Sequence, residues 1–211
     1  MENSRCVIVS GGDFSPIHDL RPDDFVIACD RGYAYCERLG LRPDLVISDF
    51  DSYRGTVDPG IPLNSYQPEK DDTDTMLAVR YAVSRGFREL LLCCALGGRL
   101  DHLIGNLQSL VFAQRHGIRA TLESEDTSVL TLSGGLIRIP RREGWSLSVF
   151  AVDGPCLGVG ISGAKYPLRD AEVLPSFPLG VSNEWAEDEA VISVRSGILL
   201  VVLSKLSPEN S

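Results

Sequence analysis

The feature that most restricts how this chain can fold is a change of rhythm near Glu125. Before it, short apolar runs alternate with helix-like segments; after it, strand-like segments follow one another with no helical periodicity. The first pattern is that of βα units feeding a parallel sheet whose strands are covered on both faces. Cys6 to Ser10, Phe25 to Cys29, Leu45 to Ser48 and Leu90 to Leu96 have the continuous apolar character of buried strands. Gly32 to Gly40 fits a short helix carrying Tyr33, Cys36 and Leu39. Asp74 to Gly86 fits a longer one with Leu77, Ala78, Tyr81 and Ala82 on one face, and Leu100 to His116 a third with Leu103, Ile104, Leu107, Leu110 and Val111 as its stripe. Gly86 and Gly117 are the stops.

Beyond Glu125 the expected strands are Ser128 to Leu132, Leu136 to Ile139, Ser146 to Val152, Val159 to Ser162 and Val191 to Leu203. Ser133-Gly134-Gly135 and Ser196-Gly197 read as hairpin turns. The expectation is an α/β domain over residues 1–125 followed by an all-β domain over 126–211.

Composition removes several classes of function. A formal charge of −9 argues against nucleic acid or an anionic membrane as partner, because both require a basic field to neutralise phosphates. The longest apolar stretches, Leu90 to Leu96 and Ile198 to Leu203, are too short for a membrane span, and Met1 to Arg5 lacks the basic start of a secretory signal. A cytoplasmic location is therefore expected. Six cysteines without C-x-x-C spacing, mostly inside strand-like runs, suit reduced core thiols better than disulfides or metal ligands.

The acidic residues collect at one kind of place. Ser48-Asp49-Phe50-Asp51-Ser52 follows a buried strand, and residues two apart in extended chain point the same way, so Asp49 and Asp51 share one mouth. Carboxylates at the carboxyl ends of parallel strands suit Mg²⁺, although an isolated D-x-D can also merely cap a turn. Glu69-Lys70-Asp71-Asp72-Thr73-Asp74 precedes a helix and combines carboxylates and a lysine with free N–H groups; Asp72 or Thr73 fits the N-cap. Gly97-Gly98-Arg99-Leu100-Asp101-His102 follows another strand, where glycines admit a phosphate close to the backbone and Arg99 supplies a planar cation. Gly11-Gly12-Asp13 and Asp30-Arg31-Gly32 occupy the corresponding positions after the first two strands. Neither G-x-G-x-x-G after the first strand nor a P-loop is present, and His18, His102 and His116 are too scattered for a zinc site; only His102 falls near the crevice.

Taken together, Ser48 to Ser52, Lys70 to Asp74, Gly97 to His102 and the late Gly180-Val-Ser182-Asn183-Glu184-Trp185 resemble thiamine pyrophosphokinase, in the family's order and across nearly the whole chain. The resemblance implies an N-terminal Rossmann-like parallel-sheet catalytic domain, a C-terminal β-sandwich and a homodimer, with thiamine bound between the catalytic domain of one subunit and the β domain of the other. It implies transfer of a diphosphoryl group from ATP to thiamine, with Mg²⁺, giving thiamine diphosphate and AMP. Asp49, Asp51 and Asp74 then match metal-binding carboxylates, and Gly12, Asp30, Lys70, Asp71, Arg99, Asp101 and His102 fall around ATP. Ser182 and Asn183 match a Ser-Asn pair lining the thiamine pocket, and Trp185 becomes an aromatic face for a cationic thiazolium rather than a core tryptophan. Asp49, Asp51, Asp71, Asp74 and Arg99 carry the catalytic roles, with Asp71 taking the hydroxyl proton. Family members often have Gly where this chain has Ser48 and Arg31. Two rival readings are a pyrophosphokinase of another hydroxymethyl heterocycle, such as a pterin, and a non-catalytic nucleotide- or thiamine-binding module.

Overall fold

The structure is a computed structural model that describes residues 5–48, 57–65 and 72–207. Asp49, Asp51, Lys70 and Asp71 lie outside the described residues. The chain divides into two compact units, Met1–Glu125 and Asp126–Ser211.

In the first unit, β1 (Cys6–Val9), β2 (Phe25–Cys29), β3 (Leu45–Ser48), β4 (Leu63–Ser65), β5 (Glu89–Cys93) and β6 (Arg119–Glu123) pair in the order β4-β3-β2-β1-β5-β6. Every pairing is parallel. Both faces are covered because alternate strand residues point to opposite sides. Val7, Val9, Val26, Ala28 and Val46 pack with Tyr33 and Cys36 of α1 (Gly32–Leu39). The intervening Ile8, Ile27 and Ile47 are equally buried, and α2 (Asp74–Ser84) packs along β1, β2 and β3. α3 (Leu100–Arg115) packs against α2 and β6.

The expected helical stripes are partly rotated. In α2 the buried residues are Thr75, Ala78, Val79 and Ala82. In α3 they are Asn106, Ser109, Leu110 and Ala113, while Ile104 is 48% exposed. The reason lies in the polar residues. The Asn106 Nδ2 donates to the Ala95 carbonyl at 2.7 Å and the Ser109 hydroxyl to that of Gly105 at 2.9 Å, so both are buried without an unsatisfied group.

The second unit is an antiparallel sandwich. Its first sheet runs β7 (Thr127–Leu132), β13 (Leu199–Lys205), β9 (Trp145–Ala151); its second runs β11 (Leu168–Val173), β10 (Cys156–Ser162), β12 (Glu189–Val194), β8 (Gly135–Pro140). Leu147, Val149 and Val201 of the first meet Val159, Ile161 and Ile192 of the second in one core. The two expected hairpin turns are corrected here. Ser133 to Gly135 joins β7 to β8 and Ser196-Gly197 joins β12 to β13, and each passes from one sheet to the other. Strands buried on one face only need a partner sheet as much as a partner strand, and these glycine-containing corners supply the crossing.

At the amino ends of the parallel strands, Arg5 is buried with Asp24. Its Nε and Nη2 reach the carboxylate at 3.0 and 2.7 Å, Nη1 reaches Asp19 at 2.6 Å, and the two side chains of the Arg5–Asp24 pair are 3% and 2% exposed. Removing one partner of such a pair leaves a buried charge uncompensated. Arg5→Ala should lower the unfolding free energy by about 3 kcal/mol or more, whereas Arg21→Ala, which breaks the exposed pair with Glu89, should change it little. Urea denaturation of both variants checks this, and equal small losses would refute it.

Candidate active site

The carboxyl edge of the parallel sheet has a natural crevice, because the chain leaves β1 toward β2 on one side while β5 lies on the other. There the loop after β1 is fastened to the loop after β5 by main-chain bonds: Ser10 N to Cys93 O at 2.9 Å, Gly12 N to Cys94 O at 2.8 Å and Asp13 N to Leu96 O at 2.8 Å. The Tyr35 hydroxyl, from α1, holds the Gly12 carbonyl at 2.7 Å. Any side chain at position 12 would strike backbone, since a Cβ there would lie 2.8 Å from the Cys94 oxygen and nearer still to that of Leu96. Gly97 (φ +72°) meets the same limit from the other loop, as a Cβ would overlap the Asp13 carboxylate.

Beside this floor stands Asp30, directly after β2. Its backbone has φ +48°, its N–H donates to the Ile47 carbonyl at 3.0 Å, and its carbonyl accepts from Tyr33 N at 3.0 Å. Its carboxylate atom Oδ1 is buried without a hydrogen-bond partner. Buried carboxylate oxygens are normally satisfied, and a left-handed backbone at a non-glycine residue is costly, so both features mark a place shaped for a ligand. Arg31 follows at the N-cap of α1 with its guanidinium carbon 5.9 Å from the Tyr35 ring centroid.

Asp74 opens α2. Thr73 is the cap, its hydroxyl accepting from Met76 N at 3.2 Å. Asp72 instead pairs with Arg80 at 2.7 Å. Two contacts tie this helix start to the sheet: the hydroxyls of Ser10 and Thr75 lie 2.8 Å apart, and the Cys29 thiol donates to the Asp74 carbonyl at 3.5 Å. Burial, with the Asp74 charge next in weight, pushes the Cys29 thiol well above its ordinary range and keeps it protonated. Ser10, Thr75 and Asn106 went unnoticed in the sequence. Asn106 stands inside the apolar stripe of α3, which is a signal that marks it, whereas Ser10 closes an apolar strand and Thr75 follows a run of polar residues, so neither stands out.

After β5, Arg99 precedes α3 and grips Asp101 through Nε at 3.1 Å and Nη2 at 2.5 Å. The guanidinium hydrogen bond holds the Asp101 carboxyl below the usual carboxylate range, and Asp101 raises Arg99 in return. The Asp101 carboxylate also accepts from His102 N at 3.0 Å. Arg99, Asp101 and His102 are all exposed, so the pair can exchange partners with an arriving anion. Gly12, Asp30, Asp74 and the Arg99 loop thus meet at one edge of the first unit. This edge can bind a polyphosphate through glycine-lined backbone, helix starts and guanidinium groups.

In the second unit, residues 180–183 run beside β9: Val149 N donates to Gly180 O at 3.0 Å, and Leu147 and Asn183 exchange both main-chain bonds at 2.8 Å. Ser182 is exposed in a left-handed conformation (φ +56°), with its N–H on the Ser148 hydroxyl at 2.9 Å. Asn183 is 1% exposed. Trp185 is 8% exposed within the sandwich core, its indole N–H on the Ile139 carbonyl at 3.0 Å. Of the two readings of Trp185, the one in which its ring belongs to the core matches this packing.

Comparison with known proteins bears on both units. A model of the thiamin pyrophosphokinase catalytic domain matches residues 18–122, and one of the thiamin pyrophosphokinase vitamin B1 binding domain matches residues 136–199. The thiamine pyrophosphokinase of Bacillus subtilis (strain 168) is 28% identical over 207 residues, spanning 93% of this chain and 97% of that protein. The crystal structure of thiamin pyrophosphokinase from Geobacillus thermodenitrificans matches with a TM-score of 0.83 at 26% identity, covering 97% of this chain and 99% of that one. The fold alone persists in the Candida albicans enzyme, with a TM-score of 0.75 at 12% identity over 97% of this chain and 90% of that one. With both domain models matched in order along the sequence, the chain belongs to the thiamin pyrophosphokinase family.

Proposed function

We propose that this protein transfers a diphosphoryl group from ATP to the hydroxyl of thiamine, giving thiamine diphosphate and AMP. The observation that carries the reading is the orphaned Asp30 carboxylate beside the locked loops of β1 and β5, in a chain that carries both domains of the family. Neither a pterin-like acceptor nor a role without turnover draws support from any feature of the molecule.

The chemistry asks that two substrates be held in line while charge is neutralised on the triphosphate. The thiamine oxygen attacks the β phosphorus, the bond from that phosphorus to the α–β bridging oxygen breaks, and AMP departs with that oxygen. The backbone of Gly98 and the starts of α2 and α3 cradle phosphates, while Gly12 keeps the approach clear of a side chain. Arg99 leaves Asp101 for the phosphoryl oxygens, Lys70 is assigned to the same negative charge, and His102 lies at the start of α3. The hydroxyl proton goes to a carboxylate, assigned to Asp71.

Mg²⁺ is the metal proposed. Among the described residues no three of His, Cys, Asp and Glu converge as a metal cage. Mg²⁺ is bound by hard oxygens, with water and substrate phosphates completing its shell. The donors at the edge are hard oxygens, and all six thiols are buried, with Cys36 pushed up to about 12 by burial. Asp74 would hold the ion with Asp49 and Asp51, and the orphaned Asp30 carboxylate is a further hard-oxygen donor at the same sheet edge. Bound there, Mg²⁺ supplies positive charge to the triphosphate oxygens.

Thiamine is assigned to the exposed Ser182 segment, with Asn183 and Trp185 giving that segment its shape. A homodimer is proposed as well, for which Leu136, Leu157 and Phe177, at 57%, 41% and 63% exposure, offer apolar surface. The unpaired thiols fit a reducing cytoplasm, and no helix among the described residues is long and apolar enough to cross a membrane.

Incubation with ATP, Mg²⁺ and thiamine should yield AMP and thiamine diphosphate in equal amounts by mass spectrometry; ADP with thiamine monophosphate, or no product, would overturn the assignment. Asp74→Asn should reduce kcat by roughly 100-fold or more with an unchanged circular dichroism spectrum. Turnover within about twofold of the parent at saturating Mg²⁺ would remove Asp74 from the site. Sedimentation equilibrium should report two chains per particle, and a monomer at micromolar concentration would contradict the dimer.

A further inference from the structure

Asn183 grips one residue with both ends of its side chain. Tyr166 N donates to its Oδ1 at 2.9 Å and its Nδ2 donates to Tyr166 O at 2.8 Å, while Oδ1 also accepts from Glu184 N at 3.0 Å. The amide is buried, and this two-point grip fixes the backbone on both sides of a single residue. Two further ties hold the same loop: Lys165 N donates to Glu184 O at 2.9 Å, and Ala164 bridges to Trp185. Tyr166 nevertheless stays 60% exposed. A buried carboxamide is thus used to hold an aromatic side chain that contributes nothing to the core.

The surroundings of that ring are those of a cation site. Lys165 Nζ lies 5.7 Å from its centroid, at the range where an aromatic face attracts positive charge. The same ammonium reaches the Glu184 carboxylate at 3.3 Å, and both side chains are more than half exposed. Ser182, next in sequence to Asn183, presents its hydroxyl from a left-handed backbone held by Ser148. An aromatic ring on a fixed backbone, a carboxylate and a hydroxyl all hang on the frame that Asn183 builds. Such equipment suits a flat, positively charged heteroaromatic ring that can displace the Lys165 ammonium.

We propose that Tyr166 is the aromatic platform for thiamine in this chain, that Glu184 favours the positive charge of its thiazolium, and that Asn183 is the positioning residue for both. The assignment rests on the functional reading above and gives its substrate site a residue that the family motifs did not single out. Trp185, whose indole is engaged with Ile139 inside the core, serves the frame.

Steady-state kinetics of the full chain, varying thiamine and ATP separately, test this. Tyr166→Ala should raise KM for thiamine about tenfold and leave KM for ATP, kcat and the thermal midpoint near the parent's. Tyr166→Phe and Tyr166→Trp should retain the parental KM for thiamine. Asn183→Ala should raise the thiamine KM and also lower the thermal midpoint. An unchanged thiamine KM in Tyr166→Ala overturns the platform, and so does an equal loss in Tyr166→Phe, which would assign the effect to the hydroxyl. Calorimetric titration of parent and Tyr166→Ala with thiamine alone separates this from failure of the activity. If the parent binds thiamine more tightly than the variant but makes no product, the platform stands and the kinase reading falls. If the parent does not bind thiamine, the platform falls too.

Discussion

The carboxyl edge of the first unit depends on the backbone bonds from Gly12 and Asp13 to the carbonyls of Cys94 and Leu96. β1 and β5 are neighbours far apart in sequence, and their loops would otherwise be free to part at the point where a ligand enters. Main-chain hydrogen bonds fasten them without using a side chain, so the polar groups of that edge remain available for chemistry. The Tyr35 hydroxyl and the Ser10–Thr75 pair extend the fastening to α1 and α2. Pre-organisation of this kind matters most for phosphoryl transfer, where positioning and fixed dipoles supply most of the acceleration.

An acidic chain that handles a polyanion has to solve a local problem. With a net charge of −9, its mean field repels ATP, so attraction must come from short range. Glycine-lined backbone, the starts of α2 and α3, and exposed guanidinium groups at positions 31 and 99 are what the edge offers. In the proposed reaction the carboxylates among them would gain their use from a divalent cation accompanying the nucleotide. The second unit faces the reverse situation, since a cationic heterocycle is favoured by the same overall charge.

Much of this was legible in the residues. β2 and β3 fall where their apolar runs begin and end, because a strand buried on both faces has no polar position to blur it. The acidic and glycine-rich loops announced the carboxyl edge for the same reason, as each follows such a run. What escaped notice depends on partners distant in sequence. β6 turns only Ala120 and Leu122 fully inward, β4 spans Leu63–Ser65, and β11 contains Arg169, Asp170 and Glu172; none of these stands out without its neighbour in place. The corner at Ser196-Gly197 has the residues of a hairpin, and only the identity of the next sheet decides that the chain crosses instead. Asn183 matched a binding motif by type, yet its carboxamide lies inside, where the tertiary fold gives it a structural duty.

The cysteines leave the molecule with an internal clock. Cys6, Cys29, Cys36, Cys93 and Cys94 lie within the first unit and Cys156 within the second, all unpaired and all shielded. A thiol-specific alkylating reagent therefore finds no cysteine on the native surface, and its reaction rate measures how often each half of the molecule opens. Peptide masses then tell the two halves apart, since the label on Cys156 records the sandwich and the others record the parallel sheet.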